Sequence, residues 1–229
     1  MSEAKRQVAE AAAAMVKPGM RLGLGSGSTA LLYVEALGRR VASGLTLPPA
    51  IATSKATEEA ARAAGIPLAD MMSADAPTRL DLAVDGADEV DADLSAIKGG
   101  GACLLREKIA ATIADRFVMI VDASKRVERL GRFPLPVEVV PFGWAAASAA
   151  IATGLGVTPV LRMAEGGPLV TDNGNYILDC PLEAIADARA VADLLSPIPG
   201  VVEHGLFVGL AEEVLIAGPE GVTRLTRTP

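Results

Sequence analysis

Arg21-Leu22-Gly23-Leu24-Gly25-Ser26-Gly27-Ser28-Thr29-Ala30 runs from a short apolar segment through a Gly/Ser turn into a helical stretch. Arg21 to Leu24 reads as a short buried strand, and a strand that turns through glycine into a helix opens a βαβ unit. Upstream, residues 5 to 16 read as a helix stopped by Pro18-Gly19. Downstream, strands near Ala50-Thr53, Leu80-Val84 and Phe117-Asp122 alternate with helical stretches Thr57-Ala64 and Ala102-Ala114. That alternation predicts an α/β domain with a parallel sheet, and such sheets bind ligands at the carboxyl ends of their strands.

The rhythm changes at Phe133-Pro134-Leu135-Pro136-Val137-Glu138-Val139-Val140-Pro141, where three prolines in nine residues mark entry to a second, smaller domain of α+β type. A helix near Ala145-Thr153 leads into a strand over Val157-Met163. Pro168-Val170 and Tyr176-Asp179 then flank Asp172-Asn173-Gly174-Asn175, whose Asn-Gly predicts a hairpin reversal. A helix over Leu182-Leu195 ends before Pro197, and strands Gly205-Gly209 and Glu213-Ala217 are expected to rejoin the first sheet. The expected division is 1–127 plus 205–229 as a Rossmann-like domain, with 128–204 as the smaller one.

A chain of 229 residues, 51% of them hydrophobic, buries roughly 70% of its unfolded surface, so a core forms without covalent staples. Only Cys103 and Cys180 are present, which fits a reducing cytoplasm better than a disulfide framework. Lys+Arg 21 against Asp+Glu 28 gives a net charge of −7 with scattered basic residues, an electrostatic footprint that argues against nucleic-acid and anionic-membrane partners. Ala9 to Val16 is too short and interrupted by Glu10 for a signal peptide, and no apolar run approaches the ~20 residues that span a bilayer. One histidine, His204, and the lack of a CxxC pair argue against a metal site.

Four stretches carry candidate chemistry. Gly25-Ser26-Gly27-Ser28-Thr29-Ala30, between strand and helix, offers free backbone N–H groups and a helix dipole to an anion, and its hydroxyls suit a phosphomonoester. It also fits the dinucleotide pattern G-x-G-x-x-A. The second strand, however, ends Thr53-Ser54-Lys55 rather than in the acid that would hold a ribose hydroxyl. Leu80 to Val84, broken only by Asp81, delivers Asp85-Gly86-Ala87-Asp88 to a strand's carboxyl end, where two carboxylates can exchange protons with sugar hydroxyls or simply form a solvated turn. Lys98-Gly99-Gly100-Gly101 frees main-chain amides for close approach to a ligand and heads the loop with a cation. In the helix that follows, Glu107 falls at the edge of the stripe Leu104, Leu105, Ile109 and Ile113. It reads there either as a semi-buried base, its pKa raised by burial, or as a surface pair with Arg106 or Lys108. Lys125, after the strand Phe117 to Val121, and Lys5 can each neutralise phosphate charge or be ordinary solvated lysines. Cys103 and His204 have no partners at triad spacing.

Taken in order, Gly25-Ser26-Gly27-Ser28-Thr29, Asp85-Gly86-Ala87-Asp88, Lys98-Gly99-Gly100-Gly101 with Arg106-Glu107-Lys108, and Ala123-Ser124-Lys125 resemble the A-type ribose-5-phosphate isomerases. The likeness continues through Phe133 to Val139 and Thr171-Asp172-Asn173-Gly174-Asn175, almost the whole chain. The resemblance implies a Rossmann-like domain with a smaller α+β domain, and a metal- and cofactor-independent aldose-ketose isomerase of sugar phosphates that is cytoplasmic and homo-oligomeric, a dimer being favoured. It implies Glu107 as the base, Lys98 and the glycine loop as oxyanion holders, and Asp85 and Asp88 as substrate-binding carboxylates, Asp85 also catalytic. It implies phosphate-site positions at Ser28, Thr29 and Lys125, matches Lys5 to a lysine near the family's N-terminus, and counts Ser26 and Gly27 among the substrate-binding residues, the family usually having threonine at Ser26. Competing readings from the residues are a non-catalytic sugar-phosphate sensor, an amino-sugar phosphate deaminase and an NAD-dependent dehydrogenase.

Overall fold

The computed structural model describes residues 3–226, and the chain divides into two compact units. Among the described residues the first comprises 3–87, 106–126 and 210–226, and the second 88–105 and 127–209. Asp88–Leu105, assigned by sequence to the first domain, therefore groups with the second, and the last return to the first unit comes at Leu210.

The first unit is built on a six-stranded sheet in the order Gly221–Thr226, Glu213–Gly218, Phe117–Asp122, Leu82–Asp85, Leu22–Leu24, Ile51–Ala52. All neighbours are parallel except the final pair, Glu213–Gly218 with Gly221–Thr226, a hairpin that closes one edge. Leu22, Leu24, Leu82, Val84, Val118 and Ile120 are buried on one face and Ala83, Phe117, Met119 and Val121 on the other, as strands covered on both faces require. Helix α1 (Glu3–Met15) is alanine-rich and buries Val8, Ala9, Ala12 and Ala13. It packs on α2 (Ser28–Ala42), from which Arg40 Nη1 donates to the carbonyls of Ala13 and, at 2.9 Å, Val16, so the end of α1 needs no glycine cap. Helix α3 (Lys55–Ala63) is capped by Ser54, whose Oγ accepts from Thr57 N–H at 3.1 Å. The break at Asp81 proves structural: it accepts from Arg21 N–H at 2.7 Å and from the Arg21 guanidinium.

Helix α4 spans Leu104–Thr112, shorter than the sequence pattern at both ends. Leu104, Glu107, Ala110 and Ala111 are buried whereas Ile109 is 45% exposed. The buried stripe is therefore turned from the one expected, and Glu107 lies within it rather than at its edge.

The second unit carries a four-stranded antiparallel sheet in the order Val201–His204, Leu135–Val139, Tyr176–Cys180, Val160–Leu161. Helices α5 (Trp144–Leu155) and α6 (Ala188–Leu195) pack on each other, and Ile151 and Leu195 join Leu135, Val137, Val139 and Leu178 in the core. The proline-rich entry is thus itself a strand. Pro136 sits one residue from the strand's start, where a missing N–H donor is tolerated, and its carbonyl accepts from Gly205 N–H at 2.7 Å.

Three expectations change here. Leu206–Phe207 pairs with Ala96–Ile97, and that strand with Glu89–Val90, in a separate three-stranded sheet; only Glu213–Gly218 rejoins the first. A turn does form at Asp172-Asn173-Gly174, where Gly174 N–H donates to Thr171 O at 2.9 Å and Thr171 N–H to Asn175 O at 2.8 Å, but it joins no paired strands: Gly167–Pro168 pairs back with Met163–Ala164 around Glu165-Gly166, and Tyr176–Cys180 pairs with Leu135–Val139 and Val160–Leu161. Thr171, Asn173 and Asn175 all donate side-chain hydrogen bonds to Oε1 of buried Glu138, so this loop is a clasp around a carboxylate. The predicted helix from Leu182 begins only at Ala188, because Asp187 caps it through Ala190 N–H and Glu183 takes a positive φ of 59°.

Candidate functional site

In the first unit Leu22–Leu24, Leu82–Asp85 and Phe117–Asp122 run parallel, so Gly25–Thr29, Asp85–Ala87 and Ala123–Lys125 follow strand ends on one edge of the sheet. Asp85 is 3% exposed, and its Oδ1 accepts from Ser26 N–H at 3.0 Å and Gly86 N–H at 2.7 Å. A Cβ at Gly25 would lie 2.2 Å from Asp85 Cγ, so this glycine exists to let the carboxylate lean on the loop. Ser26 Oγ lies 2.7 Å from Thr53 Oγ1 and 3.3 Å from Thr57 Oγ1; Thr57 in turn donates to Gly25 O at 2.9 Å. Ser26 therefore spends its hydroxyl holding the loop. Thr53 and Thr57 do the same work, and the signal available for them was their i,i+4 spacing straight after the second strand.

Gly27, at φ +89°, opens α2 without any side-chain cap on the helix. The first N–H groups of a 15-residue helix thus remain directed outward beside the hydroxyls of Ser28 and Thr29. Lys5 reaches the same place: its Nζ is 2.9 Å from Ser28 Oγ. Free amides, a helix dipole, hydroxyls and an ammonium form a cradle for a dianionic phosphate. Lys125 is half-buried in the short 3₁₀ turn Ala123–Lys125, which Asp122 caps through Ser124 N–H. No hydrogen bond or ion pair of the described residues joins Lys125 to that loop.

In the second unit Lys98 is 3% exposed, with Nζ 5.4 Å from the centroid of the Phe207 ring and its backbone N–H donating to Gly205 O at 2.8 Å. An ammonium over an aromatic face is attracted by the ring's negative quadrupole, which holds the side chain in place. Gly99 has φ +107°, and a Cβ there would lie 2.7 Å from Leu104 Cδ2; one at Gly100 would lie 2.6 Å from Asp88 Oδ1. Gly101 has open space on that side. Asp88 Oδ2 accepts from Gly100 N–H at 2.8 Å, so this carboxylate shapes the glycine loop. Sequence reading missed Arg162, whose Nη1 donates to Gly99 O at 2.9 Å and Gly100 O at 3.1 Å. No motif marks it, since its partners lie 63 and 62 positions away.

Glu107 is 5% exposed on α4, which removes the reading of it as a solvated surface pair. Gly86 and Ala87 are half-buried after Asp85. Cys180 is buried, its thiol pushed up to about 12 by burial and by the neighbouring Asp179 charge, and His204 Nδ1 accepts from Leu206 N–H at 3.3 Å. Neither is set up as a nucleophile or its base.

The family model described as ribose 5-phosphate isomerase A (phosphoriboisomerase A) matches residues 49–221. The chain is 51% identical to the ribose-5-phosphate isomerase A of Nitrobacter hamburgensis, with 97% of each chain covered. Its fold is similar to the solved ribose 5-phosphate isomerase A of Methanocaldococcus jannaschii, at TM-score 0.91 and 40% identity over 98% of this chain and 99% of that one. A D-ribose-5-phosphate isomerase solved in complex with phospho-erythronic acid matches at TM-score 0.93 and 36% identity, over 99% of this chain and 100% of that one. From the phosphate loop to the last strands, this chain belongs to the ribose 5-phosphate isomerase A family.

Proposed function

We propose that Glu107 is the base of an aldose-ketose isomerase reaction in which Lys98, the glycine loop, Asp85 and Asp88 hold the sugar and Ser28, Thr29, Lys5 and Lys125 hold its phosphate. The enzyme interconverts ribose 5-phosphate and ribulose 5-phosphate through an enediolate, a step of the non-oxidative pentose phosphate pathway. Glu107 removes the C2 proton of the open-chain aldose; the electron pair moves into the C1–C2 bond and the C1 carbonyl becomes an oxyanion. Return of that proton to C1, with the hydroxyl proton of O2 passing to O1, leaves the C2 carbonyl of the ketose. The oxyanion needs preorganised donors, which Lys98 and the glycine-loop amides supply. The remote phosphate anchors the chain so that binding energy orients the reacting carbons. Asp85, already accepting two backbone N–H bonds through Oδ1, couples the phosphate loop to the sugar end and assists ring opening. Ser26 and Gly27 contribute as the frame of the phosphate loop, Gly86 and Ala87 as the backbone beside Asp85.

The observation that carries this reading is the burial of Glu107 among the apolar residues of α4. A carboxylate taken out of water without a catalytic or structural task is costly, so its retention there fits a base poised for a buried proton transfer. The test is conversion of ribose 5-phosphate in excess EDTA, run beside Glu107→Gln. Turnover unaffected by chelator in the wild type, and lower by at least ~10²–10⁴-fold in the variant with the Michaelis constant little changed, is expected. Near-normal turnover in the variant refutes the base assignment. Phospho-erythronic acid, bound by the related isomerase, is expected to compete with substrate here, because its carboxylate mimics the charge of the enediolate.

The enzyme is further read as a cytoplasmic homo-oligomer, a dimer. Phe142, Val160, Met163 and Val170 of the second unit are between 58% and 94% exposed, a concentration of surface apolar side chains that supports association with a second copy. Light scattering tests this directly.

A further inference from the structure

Three consecutive glycines make Lys98–Gly101 easy to bend around a ligand and equally easy to flip, because a peptide plane between glycines rotates with little steric penalty. A flip matters chemically. In a trans peptide the C=O and the following N–H point in opposite directions, so rotating one plane exchanges a donor for an acceptor. An acceptor turned toward an oxyanion would repel it.

Arg162 decides which way these planes face. It directly follows the strand Val160–Leu161, and its side chain is 16% exposed. Nε lies 2.8 Å from Asp179 Oδ2 and Nη2 2.5 Å from Asp179 Oδ1, a bidentate pair that fixes the guanidinium plane against the strand Tyr176–Cys180. Its backbone N–H donates to Ile177 O at 2.8 Å, tying the residue to the same strand. The remaining nitrogen, Nη1, takes both loop carbonyls, Gly99 O at 2.9 Å and Gly100 O at 3.1 Å. With Gly99 O held, Gly100 N–H points away and is met by Asp88 Oδ2 at 2.8 Å. With Gly100 O held, Gly101 N–H also points away from Arg162, and a Cβ built at Gly101 meets nothing within 4 Å.

We propose that Arg162, anchored by Asp179, is a positioning residue for the isomerase reaction: it pins the carbonyls of Gly99 and Gly100 so that the Gly101 amide is presented as a donor to the developing oxyanion. This rests on the function proposed above, in which the glycine loop holds the enediolate. A charged donor on each carbonyl also polarises the peptide, strengthening the N–H at its other end. Lysine cannot replace this arrangement, since a point ammonium lacks the fork that grips Asp179 and two carbonyls together.

The experiment compares wild type, Arg162→Met, Arg162→Lys and Asp179→Asn by steady-state kinetics on ribose 5-phosphate, thermal unfolding, and amide hydrogen exchange over residues 98–103. Arg162→Met is expected to lower kcat by ~10²–10³-fold, as for one lost oxyanion donor, with KM within about threefold and faster exchange confined to the loop. Arg162→Lys and Asp179→Asn fall between it and wild type, so part of kcat returns with part of the grip. A soluble Arg162→Met with kcat within about threefold of wild type overturns the proposal. So does a loss that vanishes once rates are expressed per folded chain. If Arg162→Met does not fold, the other two variants decide, and wild-type kcat in both overturns it. A wild type silent on ribose 5-phosphate defeats the proposed function and, with it, the catalytic half of this inference; unchanged loop exchange in the variants then defeats the pinning as well.

Discussion

Tyr33 on α2 is 0% exposed, and its hydroxyl has no hydrogen-bond partner among the described residues. Burial drives its pKa far above the ordinary tyrosine value, with Arg40 opposing the shift. An unsatisfied buried hydroxyl costs ~1–3 kcal/mol, so Tyr33→Phe is expected to stabilise the protein by about 1 kcal/mol in denaturant unfolding, and a loss of stability would show that the hydroxyl has a partner in solution. Glu138, equally buried, is satisfied on one side only: Oε1 collects three donors from Thr171, Asn173 and Asn175, while Oε2 has no hydrogen-bond partner among the described residues. The spacing of those side chains was visible in sequence, but their shared acceptor, more than 30 positions away, was not. Asp85 combines both lessons. Its place at a strand end was legible from the apolar run before it, whereas its grip on the Ser26 amide 59 positions earlier came only with the fold.

At the scale of elements, the glycine loop separates structural from functional demand. Gly99 combines φ +107° with a Cβ position 2.7 Å from Leu104 Cδ2, so Gly99→Ala is expected to cost about 1–3 kcal/mol of stability. Gly101 has neither constraint. Gly101→Ala is expected to unfold within ~0.5 kcal/mol of wild type, while its added methyl, entering the space where substrate is proposed to sit, lowers kcat/KM. Equal kcat/KM for Gly101→Ala and wild type would move the substrate elsewhere. The helix after this loop shows why its phase was misread: α4 is short and weakly amphipathic, so several stripes fit its sequence, and contact with Ile51 and Leu80 at Ala110 selects one of them. That selection buries Glu107.

For the molecule as a whole, the chain passes from the first unit to the second and back twice, in four crossings, the first between Asp85 and Asp88 and the second between Lys98 and Glu107. Within the first unit Arg21 and Asp81 join the approaches to two adjacent parallel strands, and hydrogen bonds from Arg21, side chain first and backbone second, hold the Asp81 carboxyl below its ordinary range. A lowered folded-state pKa contributes stability that is present above the unfolded value of about 3.9 and lost as pH falls through the folded one. Because the pair is partly solvated, at 42% and 33% side-chain exposure, Asp81→Asn is expected to cost only about 0.5–1 kcal/mol at pH 7. The two unfolding curves should converge as pH falls through the folded-state pKa of Asp81; a difference that persists once the carboxyl is protonated in both states would assign the effect to packing. By itself the sequence determined the α/β rhythm, the strand ends that deliver Gly25–Thr29 and Asp85–Ala87, and the ordered motifs of the family, since each of these is a local pattern of period, glycine and charge. Tertiary structure alone decided the phase of α4, the partner of Glu138, the separate pairing of Leu206–Phe207 and the clamp of Arg162 on the glycine loop. These depend on groups brought together across many tens of residues, where the energy lies in a contact and no neighbouring residue records it.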